Sequence, residues 1–64
     1  MKSKYVLSVF DKNTKEFKHI IDTFHKPKEA ENAKSWLELD ETEYAKITYV
    51  MYDDNGNKLQ EIEV

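Results

Sequence analysis

Phe24-His25-Lys26-Pro27-Lys28-Glu29-Ala30-Glu31-Asn32-Ala33-Lys34-Ser35-Trp36-Leu37-Glu38-Leu39 decides the fold, because it is the one stretch of the 64-residue chain with a helical pattern. Pro27 suits the first helical position, where its missing N–H would have no intrahelical partner, and Glu29 and Glu31 complement the positive end of the helix dipole. Ala30, Ala33 and Leu37 recur at helical spacing with Trp36 beside them, while Lys28, Glu31, Asn32, Lys34, Ser35 and Glu38 fall largely on the other side. The narrow stripe predicts a helix that approaches a sheet closely at its two alanines and is anchored by Trp36 and Leu37. A lone helix of about 12 residues does not persist in water, so strands on either side must hold it.

Those strands can be read outward from the helix. Tyr5 to Phe10 is β-branched and aromatic, with apolar residues on both faces, after a short polar lead-in from Met1 to Lys4. Asp11 to Glu16 is rich in turn formers, and Phe17 to Phe24 resumes strand character, so the two runs make a hairpin. Past the helix, the acidic connector Asp40-Glu41-Thr42-Glu43 leads into Tyr44 to Tyr52, the strongest strand signal in the chain. Asn55-Gly56 between two strands predicts a two-residue type I′ hairpin. In that register Tyr52 faces Leu59, Val50 faces Glu61, Tyr49 faces Ile62 and Ile47 faces Val64. Ala45, Ile47, Tyr49, Met51, Ile62 and Val64 then form the core beneath the helix. The expected architecture is α+β, a single domain over residues 1–64 in the order ββαββ, with one helix on one face of a mostly antiparallel four-stranded sheet.

Composition narrows the chemistry. A core of this size yields only about 3 to 5 kcal/mol, so help from a partner or from self-association is reasonable. Without cysteine, neither a disulfide nor a thiolate metal site can supply it. Tyr5-Val6-Leu7 is far too short for a signal-peptide core or a membrane span, which predicts a cytoplasmic protein. All ten basic residues are lysine; the absence of arginine disfavours bidentate guanine readout. Residues 1–28 carry a balance of +4 and residues 29–64 a balance of −7, within a net charge of −3. A net-acidic chain is a poor general binder of nucleic acid.

Three features stand out as candidate sites. The second face of the last hairpin collects Tyr44, Val50, Tyr52 and Leu59 among charged residues, and one helix covers only one side of a sheet, so this face is the expected partner-binding surface. The plainer reading is that tyrosines simply suit strands. His25, Lys26 and Lys28 cluster at the helix start, where Lys26 occupies the N-cap in place of a side-chain acceptor; free N–H groups and positive charge can hold an anion, although exposed lysine is common. The acidic set Glu38, Asp40, Glu41, Glu43, Asp53, Asp54, Glu61 and Glu63 is able to imitate a phosphate backbone, but such runs are mostly solvated loop.

No catalytic set is visible. His19 and His25 have no nucleophile motif near them and too few companions for a metal site. Asp53, Asn55 and Asn57 imitate the first ligands of a calcium loop, but Lys58 stands where that loop needs glycine. No cofactor, metal or enzymatic activity is expected.

The stretch Tyr5 to Leu39 runs strand, Asp11-Lys12-Asn13-Thr14-Lys15, strand, then Phe24-His25-Lys26-Pro27-Lys28-Glu29-Ala30-Glu31. This cadence resembles that of small bacterial and phage proteins, and its sheet-then-helix order is similar to the arm-binding domain of tyrosine integrases. That family reads DNA with its sheet. The third strand before the helix and the arginines of the family are absent here, and the resemblance implies no residue role. The leading expectation is a non-catalytic protein-interaction module, of phage inhibitor or adaptor type, using Tyr44, Val50, Tyr52 and Leu59 against another protein or a second copy in a homodimer. The alternative is a nucleic-acid, nucleotide or anion binder working through Lys2, Lys4, Lys18, Lys26 and Lys28 with the sheet tyrosines as stacking platforms.

Overall fold

The computed structural model describes residues 2–64 and has the order β1 (Lys2–Asp11), β2 (Phe17–Phe24), α1 (Pro27–Ser35), β3 (Glu43–Tyr52) and β4 (Lys58–Glu63). The strands form one antiparallel sheet in the order β2-β1-β3-β4, with the helix on one face. This is the α+β, ββαββ architecture expected from the sequence. The two hairpins meet through β1 and β3, which stay in register from Lys2 opposite Tyr52 to Asp11 opposite Glu43. Strand β1 thus begins at Lys2 and absorbs most of the supposed lead-in, whose Met1 lies outside the described residues. Among the described residues no helix is long and apolar enough to cross a membrane.

Alternation along the central strands builds two different faces. Leu7 and Ile47 point to the helix, are buried, and close on Ala30; Tyr5, Phe24, Ala33, Leu37 and Ala45 pack around them. Tyr5 and Tyr49 pair across the strands with ring centroids 4.8 Å apart. Small side chains at Ala30 and Ala33 allow the close approach anticipated from the sequence. Of the six residues expected in the core only Ala45 and Ile47 join it: Tyr49 and Met51 are half-buried outside the cluster, and Ile62 on the last strand and Val64 just past it are exposed. For these last two the reason is reach, since α1 packs over β1, β2 and β3 and does not cover β4 at the sheet edge.

The helix is shorter than its periodic pattern. Lys26 is the N-cap, with extended backbone and no side-chain cap, and Pro27 comes next. At the other end the N–H groups of Trp36 and Leu37 donate to the carbonyls of Ala33 and Lys34, both at 3.2 Å, which tightens the last turn, while Ser35 Oγ donates to the Asn32 carbonyl at 2.7 Å. Tightening rotates the chain beyond Ser35 off the helical face. Leu37 swings onto the core, but Trp36, expected as an anchor beside it, is 85% exposed.

Aspartates hold the turns. Asp11 Oδ1 accepts from the N–H groups of Asn13 and Thr14, and the turn closes with Lys15 in the left-handed region at φ 67°. In the second hairpin Gly56 N–H donates to the Asp53 carbonyl at 3.1 Å and Asp53 N–H to the Asn57 carbonyl at 2.9 Å. Only Gly56 has positive φ there, at 86°. A type I′ turn needs positive φ at both central residues, so the two-residue loop is replaced by a three-residue loop, Asp54-Asn55-Gly56, with glycine at its left-handed position. Asp53 Oδ1 also takes the N–H groups of Asn55 and Asn57, a side-chain bracket that favours the longer loop.

These bonds set a pH dependence. The Thr14 N–H, aided by that of Asn13, lowers the Asp11 carboxyl; the Thr42 hydroxyl and N–H lower Asp40; the Asn57 N–H leads in lowering Asp53. A carboxyl depressed in the folded state contributes stability above its unfolded value and loses it as pH falls through the folded one. The urea midpoint is therefore expected to be flat from neutral pH to near the ordinary aspartate value of 3.8 and to fall below it. Asp53→Asn should shallow that fall; an unchanged profile would show that the bracket adds nothing.

Candidate functional site

The face of the sheet opposite the helix is uncovered and chemically divided. Phe10, on β1, stacks on Tyr44 of β3 with centroids 5.6 Å apart and meets Phe17 of β2 edge-on at 5.9 Å. Beside this triad runs a depression of about 210 Å³ whose walls include Val6, Phe10, Phe17, Ile20, Val50 and Tyr52. Phe17 and Ile20 are 57% and 54% exposed. Lysines surround the apolar strip: Lys46 lies over the Phe10 ring, Lys15 over Tyr44 and Lys4 over Tyr52, at 4.8 to 5.1 Å from the centroids. Lys58 lines the depression, and Lys2 shares the face by its pairing with Tyr52.

Glu61 and Glu63 are the acids that β4 contributes to this face. Glu61 takes Lys58 at 3.0 Å and Glu63 takes Lys46 at 3.7 Å. The Lys58–Glu61 pair is solvent-exposed and the longer Lys46–Glu63 pair joins a half-buried lysine to an exposed glutamate, so both contribute little and are exchangeable. Counting Lys2, Lys4, Lys15, Lys46 and Lys58 against Glu61, Glu63 and the Asp53 and Asp54 that border Lys2, Lys4 and Tyr52, the face has a formal charge of +1 in a chain of −3, which leaves −4 for the rest. The protein is electrostatically two-sided.

Of the four expected partner-binding residues, the structure brings Tyr44, Val50 and Tyr52 onto one face and separates Leu59 from them. Tyr52 pairs with Lys58 rather than Leu59, because β4 carries a bulge between its pairings with Met51 and Tyr52. The longer loop shifts the strand by one residue, and the bulge restores the Val50–Glu61 and Tyr49–Ile62 pairings. Leu59 is left at the bulge, exposed and outside the depression. Val50 is only 4% exposed, on the floor between Lys4 and Glu61, so it shapes the surface from below.

The residues that dominate the exposed apolar area, Phe17 and Ile20, lie on β2 and escape a reading of the sequence. Two register shifts in the β1–β2 ladder scramble the alternation of Phe17 to Phe24, and the face they share with β3 exists only because β1 sits between them. The triple aromatic content of Phe10, Phe17 and Tyr44 was the available signal.

The lysines expected to bind anions are not gathered. Lys2, Lys4 and His25 border an open depression of about 540 Å³ at the loop end of β3, but Asp53 and Asp54 border it too. Lys18 is on β2 beside the far end of β1, where its ammonium donates to Glu43 at 2.8 Å, a bond that raises its pKa above the ordinary lysine value. Within the acidic set, Glu43, Glu61 and Glu63 have lysine partners and Asp40 and Asp53 cap turns. Among the described residues there is no cluster of three or more His, Cys, Asp or Glu able to hold a metal ion. No protein family, curated protein or solved structure matches the chain.

Proposed function

We propose that this is a non-catalytic interaction module that binds another protein through its open sheet face. The observation carrying this reading is the exposed pair Phe17 and Ile20 beside the stacked Phe10 and Tyr44, an apolar strip within a ring of lysines. Apolar centres with a charged rim, rich in aromatic residues, are the anatomy of protein interfaces.

Nucleic acid is the weaker fit. Base stacking needs free ring faces. Phe10 has Tyr44 on its ring and Lys46 over it, and Tyr44 has Phe10 and Lys15.

Selection of a random peptide library on the immobilised protein tests the proposal. Peptides are expected to emerge that combine an apolar anchor with acidic residues, and their affinity should fall about 30-fold or more for Ile20→Glu, the scale of a lost interface hot spot. Failure to enrich any peptide, or binding indifferent to Ile20→Glu, would overturn the reading. Binding of a single-stranded oligonucleotide that weakens steeply with salt would replace it with the nucleic-acid alternative.

A further inference from the structure

The chain carries on its helix side a segment with the chemistry that the open face should select. Trp36-Leu37-Glu38-Leu39-Asp40-Glu41 continues from α1, and its Trp36 is 85% exposed at the helix C-cap. Glu38, Asp40 and Glu41 are exposed around it. A tryptophan so open forgoes a large burial gain, and tryptophan is among the residues most enriched at interface hot spots. The open face offers the complement, an apolar depression of about 210 Å³, room for one bulky side chain, within a lysine rim.

We infer that the open face of one copy receives Trp36 of a second copy, with Glu38 and Glu41 of that segment set against Lys46 and Lys58. This deepens the reading of the open face as a protein-binding surface and rests on it. Charge supports a second copy as occupant: the receiving face is +1 and the remainder of the chain −4, with Glu38, Asp40 and Glu41 placing three negative charges beside Trp36. Edge-to-edge association is the poorer route. Edge strand β2 is interrupted by two register shifts, and the other edge, β4, is six residues long, bulged, and carries Glu61 and Glu63. Knob and socket lie on opposite sides of the sheet, so the contact is heterologous and adds copies in a stack instead of closing as a twofold dimer.

Trp36 is the sole tryptophan, which makes its fluorescence a direct readout. With rising concentration the wild-type protein is expected to show a blue shift in emission together with an increase in light-scattering mass, both reduced by salt. Trp36→Ala and Ile20→Glu should each remain monomeric. Mixed together, they should form a dimer and nothing larger, because the first keeps a socket and the second keeps a knob. Lys46→Glu with Lys58→Glu provides a second socket-defective variant in which the apolar strip is untouched. A wild-type protein that stays monomeric with unshifted emission overturns the inference, as does a Trp36→Ala variant that assembles like wild type. Either result leaves the open-face reading standing if selected peptides still respond to Ile20→Glu.

Discussion

Leu7→Ala is expected to leave the chain largely unfolded at room temperature. Leu7 is fully buried in β1, flanked by β2 on one side and β3 on the other, and it closes on Ile47 and Ala30 beneath the helix. Truncating a buried leucine to alanine costs about 2–5 kcal/mol, the lost transfer energy plus the cavity left behind. The whole domain has only about 3–5 kcal/mol to lose. Collapse of the helix into the gap is the available relief, but Ala30 already sits against the sheet with no longer side chain to extend. Urea denaturation monitored by circular dichroism checks the expectation, with two companions that calibrate it. Ile47→Val should lower stability by about 0.5–1.5 kcal/mol, and Ile62→Ala, on the exposed strand, by about 0.5 kcal/mol or less. Equal effects at Leu7 and Ile62 would mean that the helix covers the sheet differently from the structure.

Ile62 also marks where sequence reading ends. Its alternation with Glu61 and Glu63 places it correctly on the helix side of the sheet, opposite Tyr49. Burial, however, depends on whether the helix reaches β4, a property of strand order and helix length that no local pattern carries. Trp36 fails for a related reason: helical periodicity extrapolates past Ser35, whereas the chain leaves the helix through a tightened turn. What was legible was local. Pro27 at the first turn, turn formers at Asp11 to Glu16 and Asp53 to Asn57, and β-branched runs place every element within a few residues. The Tyr44, Val50 and Tyr52 side of the site comes from alternation within one strand. Its β2 side does not, because Phe17 and Ile20 join that face only through the non-local pairing of β1 with β3 and across two bulges.

The second large effect is expected at Ala30, the helix's one buried residue. Ala30→Leu should destabilise by about 1–3 kcal/mol, although leucine is nearly as good a helix former as alanine, because the added methylenes have no space between helix and sheet. Leu7 and Ile47 lie directly against the Ala30 methyl, in strands held on both sides by hydrogen-bonded neighbours, so the helix is the part that yields. It is a weak helix, nine residues long without a side-chain N-cap, and lifting it uncovers Leu7 to water. Thermal melts of Ala30→Leu beside Ala30→Gly separate the causes. Glycine loses about 1 kcal/mol through helix propensity, and more with its buried methyl, so a helix without space should put both variants below the wild type, whereas a leucine variant as stable as the wild type would show spare room beneath the helix. The open face offers an internal control. Strands β1 and β3 present it through Phe10 and Tyr44, on the far side of the sheet from Ala30. Ala30→Leu should therefore lower the melting temperature while leaving the affinity of the folded protein for a selected peptide unchanged, whereas Ile20→Glu should do the reverse.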